Sequence, residues 1–210
     1  MNRTLWRVFL LLESGLWLTF MTADLLNVFD TTWLKYSAIL LLMIAGLLCA
    51  DLWKGRTVAS ALVFTAAADL FLLVLDKSYA VGIALFCVVQ LLYAVRLGGL
   101  RSFCFGIPVV LIPFCLLSVH GIVDSLAAGY IALFAVNLIH AGILFNRFRD
   151  PPHRRFFTGL VLFFACDLCV GLFQAASGPI WEFARIGMWA FYLPGQMLIL
   201  ASAVRVVQNK

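Results

Sequence analysis

The feature that most limits what this chain can fold into is a nearly unbroken succession of apolar runs, each about long enough to cross a bilayer. A spanning helix needs about 20 mostly apolar residues. The sequence predicts such spans near residues 5–26, 33–50, 57–75, 79–97, 102–119, 124–145, 156–177 and 181–204. The polar breaks between them are short, at 51–56, 76–78, 96–101 and 146–155, and the last contains Pro151-Pro152. Composition points the same way: 64% of the residues are hydrophobic, 12% are charged, and the mean hydropathy is +1.05. A soluble domain is about half apolar and about a quarter charged. The expected fold is therefore all-α, a polytopic transmembrane bundle of about eight helices, with residues 1–210 forming one domain. The first span carries Glu13 and runs on to about Phe29 without a small-residue cleavage site, so it reads as a helix rather than a cleaved signal.

The net charge of +5 would suggest nucleic acid in a soluble protein. Here the basic residues sit in short loops, which fits membrane orientation instead, and no nucleic-acid partner is expected. With the N-terminus inside, the cytoplasmic segments hold Arg3, Arg7, Lys54, Arg56, Arg96, Arg101, Arg147, Arg149, Arg154, Arg155, Arg205 and Lys210. The outer side holds only Lys35, Lys77 and Arg185. Losing one helix would scramble this division. It therefore supports an integral protein with eight spans and both termini in the cytoplasm, the cell membrane being the expected location.

Several chemistries are disfavoured. Of the three histidines, His120, His140 and His153, only His140 lies well inside a span, which argues against a three-histidine zinc site. No GxSxG elbow and no Walker loop occur, and the seventh span has no lysine for a retinal Schiff base. Cys166 and Cys169 form a CxxC, but inside an apolar span and without a second pair, so they read as small buried hydrophobes.

Ionisable groups within a span are costly and usually mark function. Asp69 and Asp167 are the strongest. At 1.5 Å per residue Asp69 lies about 18 Å above Thr57, and Asp167 about 17 Å above Phe156. Both helices run outward, so the carboxyls reach similar depth and can share one cavity. Two close carboxyls suit acid–base chemistry, because one can hold a proton near neutral pH while the other stays ionised. The plainer alternative is that each only hydrogen-bonds a neighbouring helix. Gln90, Tyr93, Tyr192 and Gln196 are candidates to line such a site, although each alone is commonly interhelical glue. Lys35 and Arg185, at the outer ends of the second and eighth spans, suit an anionic headgroup or simply snorkel. Asn137 and His140 read as polar helix contacts.

A faint internal repeat relates the halves. Ala67-Ala68-Asp69-Leu70 resembles Ala165-Cys166-Asp167-Leu168, and each Asp helix precedes one bearing Gln and Tyr. A four-plus-four duplication would relate them about an axis along the membrane normal.

At these residues the sequence resembles the YhhN-like lysoplasmalogenase family of eight-helix membrane proteins. Trp33-Leu34-Lys35 resembles the family's Lys-Pro opening of the second helix, and Phe64 to Leu73, with Asp69, its Gly-Asp helix. Gly82 to Phe86 through Gln90 to Tyr93 resembles its Gly…Phe…His-x-x-Tyr helix. Gly159 to Asp167 resembles Gly…Leu-Phe…Ser-Asp, and Tyr192 to Gln196 the closing Tyr…Gln segment. The chain departs from the family pattern at Tyr36 (usually Pro), Ala68 (Gly), Gln90 (His) and Cys166 (Ser). Gln90 cannot carry a proton as His can. The resemblance implies hydrolysis of the vinyl ether of a lysoplasmalogen, a lysophospholipid, to a fatty aldehyde and a glycerophospho-headgroup. Asp69 and Asp167 would be catalytic, and Lys35, Gln90, Tyr93, Tyr192 and Gln196 would bind substrate. No metal or cofactor is required, and membrane lipid is the other expected partner. The competing class is a lipid-binding or proton-coupled transport protein that uses the same carboxylates without catalysis.

Overall fold

The computed structural model describes residues 3–49, 53–117 and 121–204. Eight α-helices account for nearly all of them: α1 Arg3–Leu26, α2 Thr32–Leu48, α3 Trp53–Asp69, α4 Tyr79–Gly98, α5 Leu100–Leu117, α6 Ile122–Phe148, α7 Pro151–Ala175 and α8 Pro179–Ala201. The described residues contain no strand. Each predicted span falls on one helix. Arg205 and Lys210, counted above among the cytoplasmic charges, lie outside the described residues, as do Asp51 and His120. Five segments are long and apolar enough to cross a membrane, namely α1, Lys54–Val74, α4, α6 and α7. Leu11, Phe105, Ile139 and Phe183 are among the large apolar side chains left exposed on the bundle surface. That is what a helix facing lipid requires.

The helix ends follow local chemistry. Asp150 caps α7 by accepting the His153 backbone N–H at 2.9 Å, and Pro151 and Pro152 fill the first turn, where no backbone donor is needed. α4 stops at Gly99, whose φ of +77° suits a residue without a Cβ. α3 passes directly into a π-helical turn, Leu70–Val74, so Asp69 sits at the junction. Such turns are frequent at functional sites.

Helices α2, α3, α4, α6, α7 and α8 form the body of the bundle. α1 lies outside against α2 and α8, and α5 lies outside against α4 and α6. Neighbour relations follow the four-plus-four pairing: α3 packs on α4 as α7 does on α8, and α2 on α3 as α6 does on α7. α7 and α8 approach closely. A Cβ on Gly159 would lie 2.8 Å from the Gly195 carbonyl oxygen, so these backbones pack with nothing between them.

The two ends of the bundle are tied differently. At one end Asp24 accepts a 2.5 Å hydrogen bond from Thr31 and pairs with Lys35 at 2.6 Å, while both terminal nitrogens of Arg185 donate to its backbone carbonyl at 3.3 Å. At the other, Arg96 joins α3, α4 and α8, and Arg155 donates to the Ala201 carbonyl.

Candidate active site

Asp69 ends α3 and Asp167 lies two-thirds of the way along α7. Each is met by a tyrosine from another helix. The Tyr192 hydroxyl on α8 donates to Asp69 Oδ2, and the Tyr130 hydroxyl on α6 donates to Asp167 Oδ2 at 2.7 Å. Asp69, Tyr192 and Tyr130 are all buried. Aromatic rings bridge the two pairs. Phe163 lies 5.5 Å from Tyr192 and 5.9 Å from Phe86, and Phe86 lies 6.0 Å from Tyr130. These rings join the Asp69–Tyr192 and Asp167–Tyr130 pairs in one layer of the bundle.

The other predicted residues divide into two groups. Tyr192 joins the layer directly. Gln90 lies beside Tyr130, and the Tyr93 ring packs edge-on against Phe156 at 5.5 Å. Asn137 donates to the Gln90 carbonyl at 2.8 Å and to its Oε1 at 3.0 Å, fixing the side-chain amide, so Asn137 is the interhelical contact expected of it. Gln90 Nε2, the Tyr93 hydroxyl and both polar atoms of Gln196 are buried without a hydrogen-bond partner among the described residues. The same holds for Thr65 Oγ1 and for both carboxyl oxygens of Glu13.

Lys35 stands apart. Its ammonium is held by Asp24 and lies 5.0 Å over the Trp189 ring, which packs 5.5 Å from Tyr192. One aromatic ring thus separates it from the Asp69 pair. Arg185 is likewise matched by Glu182 at 2.9 Å. Tyr36, where the family usually carries Pro, donates from α2 to the Ala66 carbonyl at 3.3 Å, one turn before Asp69.

Two residues of the site were not singled out from sequence. Tyr130 is one; a tyrosine deep in an apolar span needs a partner for its hydroxyl, and that was the available signal. Trp189 is the other, and nothing in its local sequence distinguishes it from an interfacial tryptophan.

A model of the YhhN family matches residues 31–203, which takes in α2 to α8 and every residue of the carboxyl layer. The chain belongs to the YhhN family. No curated protein and no solved structure matches it. α1, with Glu13 and the Lys35 partner Asp24, lies ahead of the YhhN match. The whole Asp69–Tyr192 and Asp167–Tyr130 layer falls within it.

Proposed function

We propose that this membrane protein is a lysoplasmalogenase-like hydrolase, which cleaves the vinyl ether of a one-tailed phospholipid with Asp69 and Asp167 as its acid–base pair. The observation that carries this reading is that two intramembrane carboxyls, each held by a tyrosine, are joined through Phe163 and Phe86 in one layer of a YhhN-family bundle. A protonated carboxyl transfers its proton to the β-carbon of the vinyl ether, leaving an oxocarbenium ion. The other, ionised, stabilises that cation and takes a proton from the water that adds to it. The first carboxylate then takes the hemiacetal hydroxyl proton as the aldehyde carbonyl forms, and the second gives its proton to the glycerol oxygen as the bond to that oxygen breaks. Water and substrate supply every atom, and the carboxyls return to their starting state. The tyrosine hydroxyls keep the carboxylates aimed across the layer. Lys35, next to Trp189, closes the Asp24 end of the site. The excess of basic residues that the sequence assigns to one side, two of which, Arg96 and Arg155, stand together at one end of the bundle, supports a cytoplasmic position for that end and for both termini.

Purified protein in detergent should release fatty aldehyde from a defined lysoplasmalogen without added metal. Protein inactive on choline and ethanolamine lysoplasmalogens alike, and unresponsive to Gln90→His, would transfer the assignment to lipid binding or proton-coupled transport.

A further inference from the structure

Arg96 is 8% exposed and lies near the end of α4, with its guanidinium 4.2 Å over the Phe156 ring. It donates to the Lys54 carbonyl at 3.2 Å, the Ser202 carbonyl at 3.3 Å and the Ser202 hydroxyl at 2.8 Å. All three acceptors are neutral. Among the described residues no carboxylate pairs with it, although Lys35 and Arg185 at the other end each have one. A cation taken out of water needs an anion, and a guanidinium presents a planar fork that matches phosphate. One turn further into the bundle stand the unpartnered polar groups. Tyr93 is three residues before Arg96 on α4, Gln196 is four beyond Tyr192 on α8, and Thr65 is four before Asp69 on α3. At 1.5 Å per residue, Thr65 and Gln196 lie about 6 Å below the carboxyl layer and Arg96 about 9 Å beyond Gln90. A glycerol backbone spans a distance of that order between an sn-1 ether and an sn-3 phosphate.

From this stack we infer that the Arg96 end is an oxyanion and polyol site for the polar part of the lipid. The phosphate sits on the Arg96 guanidinium and Ser202 hydroxyl, and the free glycerol hydroxyl among Tyr93, Gln196 and Thr65. The assignment rests on the lysophospholipid reading above for the ligand, and on the unmatched charge and orphaned polar groups for the place. It puts the headgroup at the opposite end from Lys35, whose charge Asp24 already satisfies.

The test is binding, and uses ligands that cannot turn over. A 1-O-alkyl lysophospholipid, the matching 1-O-alkylglycerol and glycerol 3-phosphate are titrated into detergent-solubilised protein, with tryptophan fluorescence as the readout. Wild type should bind the phosphate-bearing lipid at least about tenfold more tightly than the alkylglycerol, the scale of one charge-assisted contact. Arg96→Gln should erase that preference. Arg155→Gln, which removes a basic residue at the same end, should keep it. Tyr93→Phe should weaken both lipids and leave the preference. Equal binding of the two lipids by wild type overturns the inference even if Arg96→Gln fails to fold, and so does a preference that survives in folded Arg96→Gln. Glycerol 3-phosphate binding as tightly as the lipid would assign the site to a soluble phosphate and overturn the lipid assignment. None of these ligands has a vinyl ether, so failure of aldehyde release would count against the hydrolase reading alone.

Discussion

Each carboxyl of the site is held by a tyrosine hydroxyl, and that hydroxyl can only help an oxygen that accepts. Asp69→Asn and Asp167→Asn preserve size and most hydrogen bonding but can neither donate a carboxyl proton nor hold charge. Each should lower aldehyde release by about 10²–10⁴-fold, the usual worth of general acid–base help, while size-exclusion profiles stay those of wild type. Activity surviving both changes would leave the hydrolase assignment standing and remove these residues from it. Gln90→His places a titratable ring beside Tyr130 and should keep or raise turnover; a large loss would show that the Asn137–Gln90 contact matters more than a proton carrier at this position. The pair of aspartates was legible in the sequence because a charge in an apolar run is visible without a structure and helical rise gives its depth. Tyr130 was not, because its importance lies in what stands across from it on α7. Lys35 and Arg96 show the same limit from the other side. Both look like ordinary basic residues at helix ends, and only their surroundings show that one is neutralised by Asp24 and the other lacks a carboxylate among the described residues.

At the scale of elements, the α7–α8 pair decides the site, since it carries both Asp167 and Tyr192. Gly159 faces Gly195 so closely that a single added methyl meets backbone. Gly159→Ala should therefore cost roughly 1–3 kcal/mol of stability, as overpacking usually does, and turnover should fall with it because the helices must separate. A thermal melt unchanged from wild type would mean the interface yields more easily than its spacing suggests. The start of α7 gives an independent check. The backbone N–H of His153, with help from its side chain, holds the Asp150 carboxyl below the usual range. A lowered carboxyl adds stability above its unfolded value and loses it as pH falls through the folded one. Asp150→Ala should cost about 1 kcal/mol near neutral pH, as a lost cap does. In melts recorded at successively lower pH, that difference should begin to shrink below about pH 4, the ordinary carboxyl value, and vanish only below the lowered folded value, where the cap is protonated in both states. A penalty independent of pH would mean the carboxylate is not what starts the helix.

At the scale of the molecule, the distribution of basic residues makes a statement about sidedness. Tags at both termini should be reached only from the cytoplasm in reporter-fusion mapping, and an outward C-terminus would break the eight-span count. The number of helices was legible because the apolar runs have helical length and the clearest joints between them are short polar breaks. The relation between the halves was barely so: three identical residues in four aligned positions hinted at it, and the packing of α1 and α5 at equivalent outer positions agrees with it. The halves share a frame but not a pattern of hydrogen bonds. Asp69 takes its tyrosine from α8, and Asp167 takes its own from α6 rather than from α4, the helix related to α8. In a symmetric dimer of two half-length subunits, both carboxylates would be bound to identical surroundings, and neither could specialise. Joining them in one chain lifts that equivalence. In the proposed reaction that asymmetry would let one carboxyl serve as the acid and the other as the base, a division of labour that a pair of identical subunits could reach only by breaking its own symmetry.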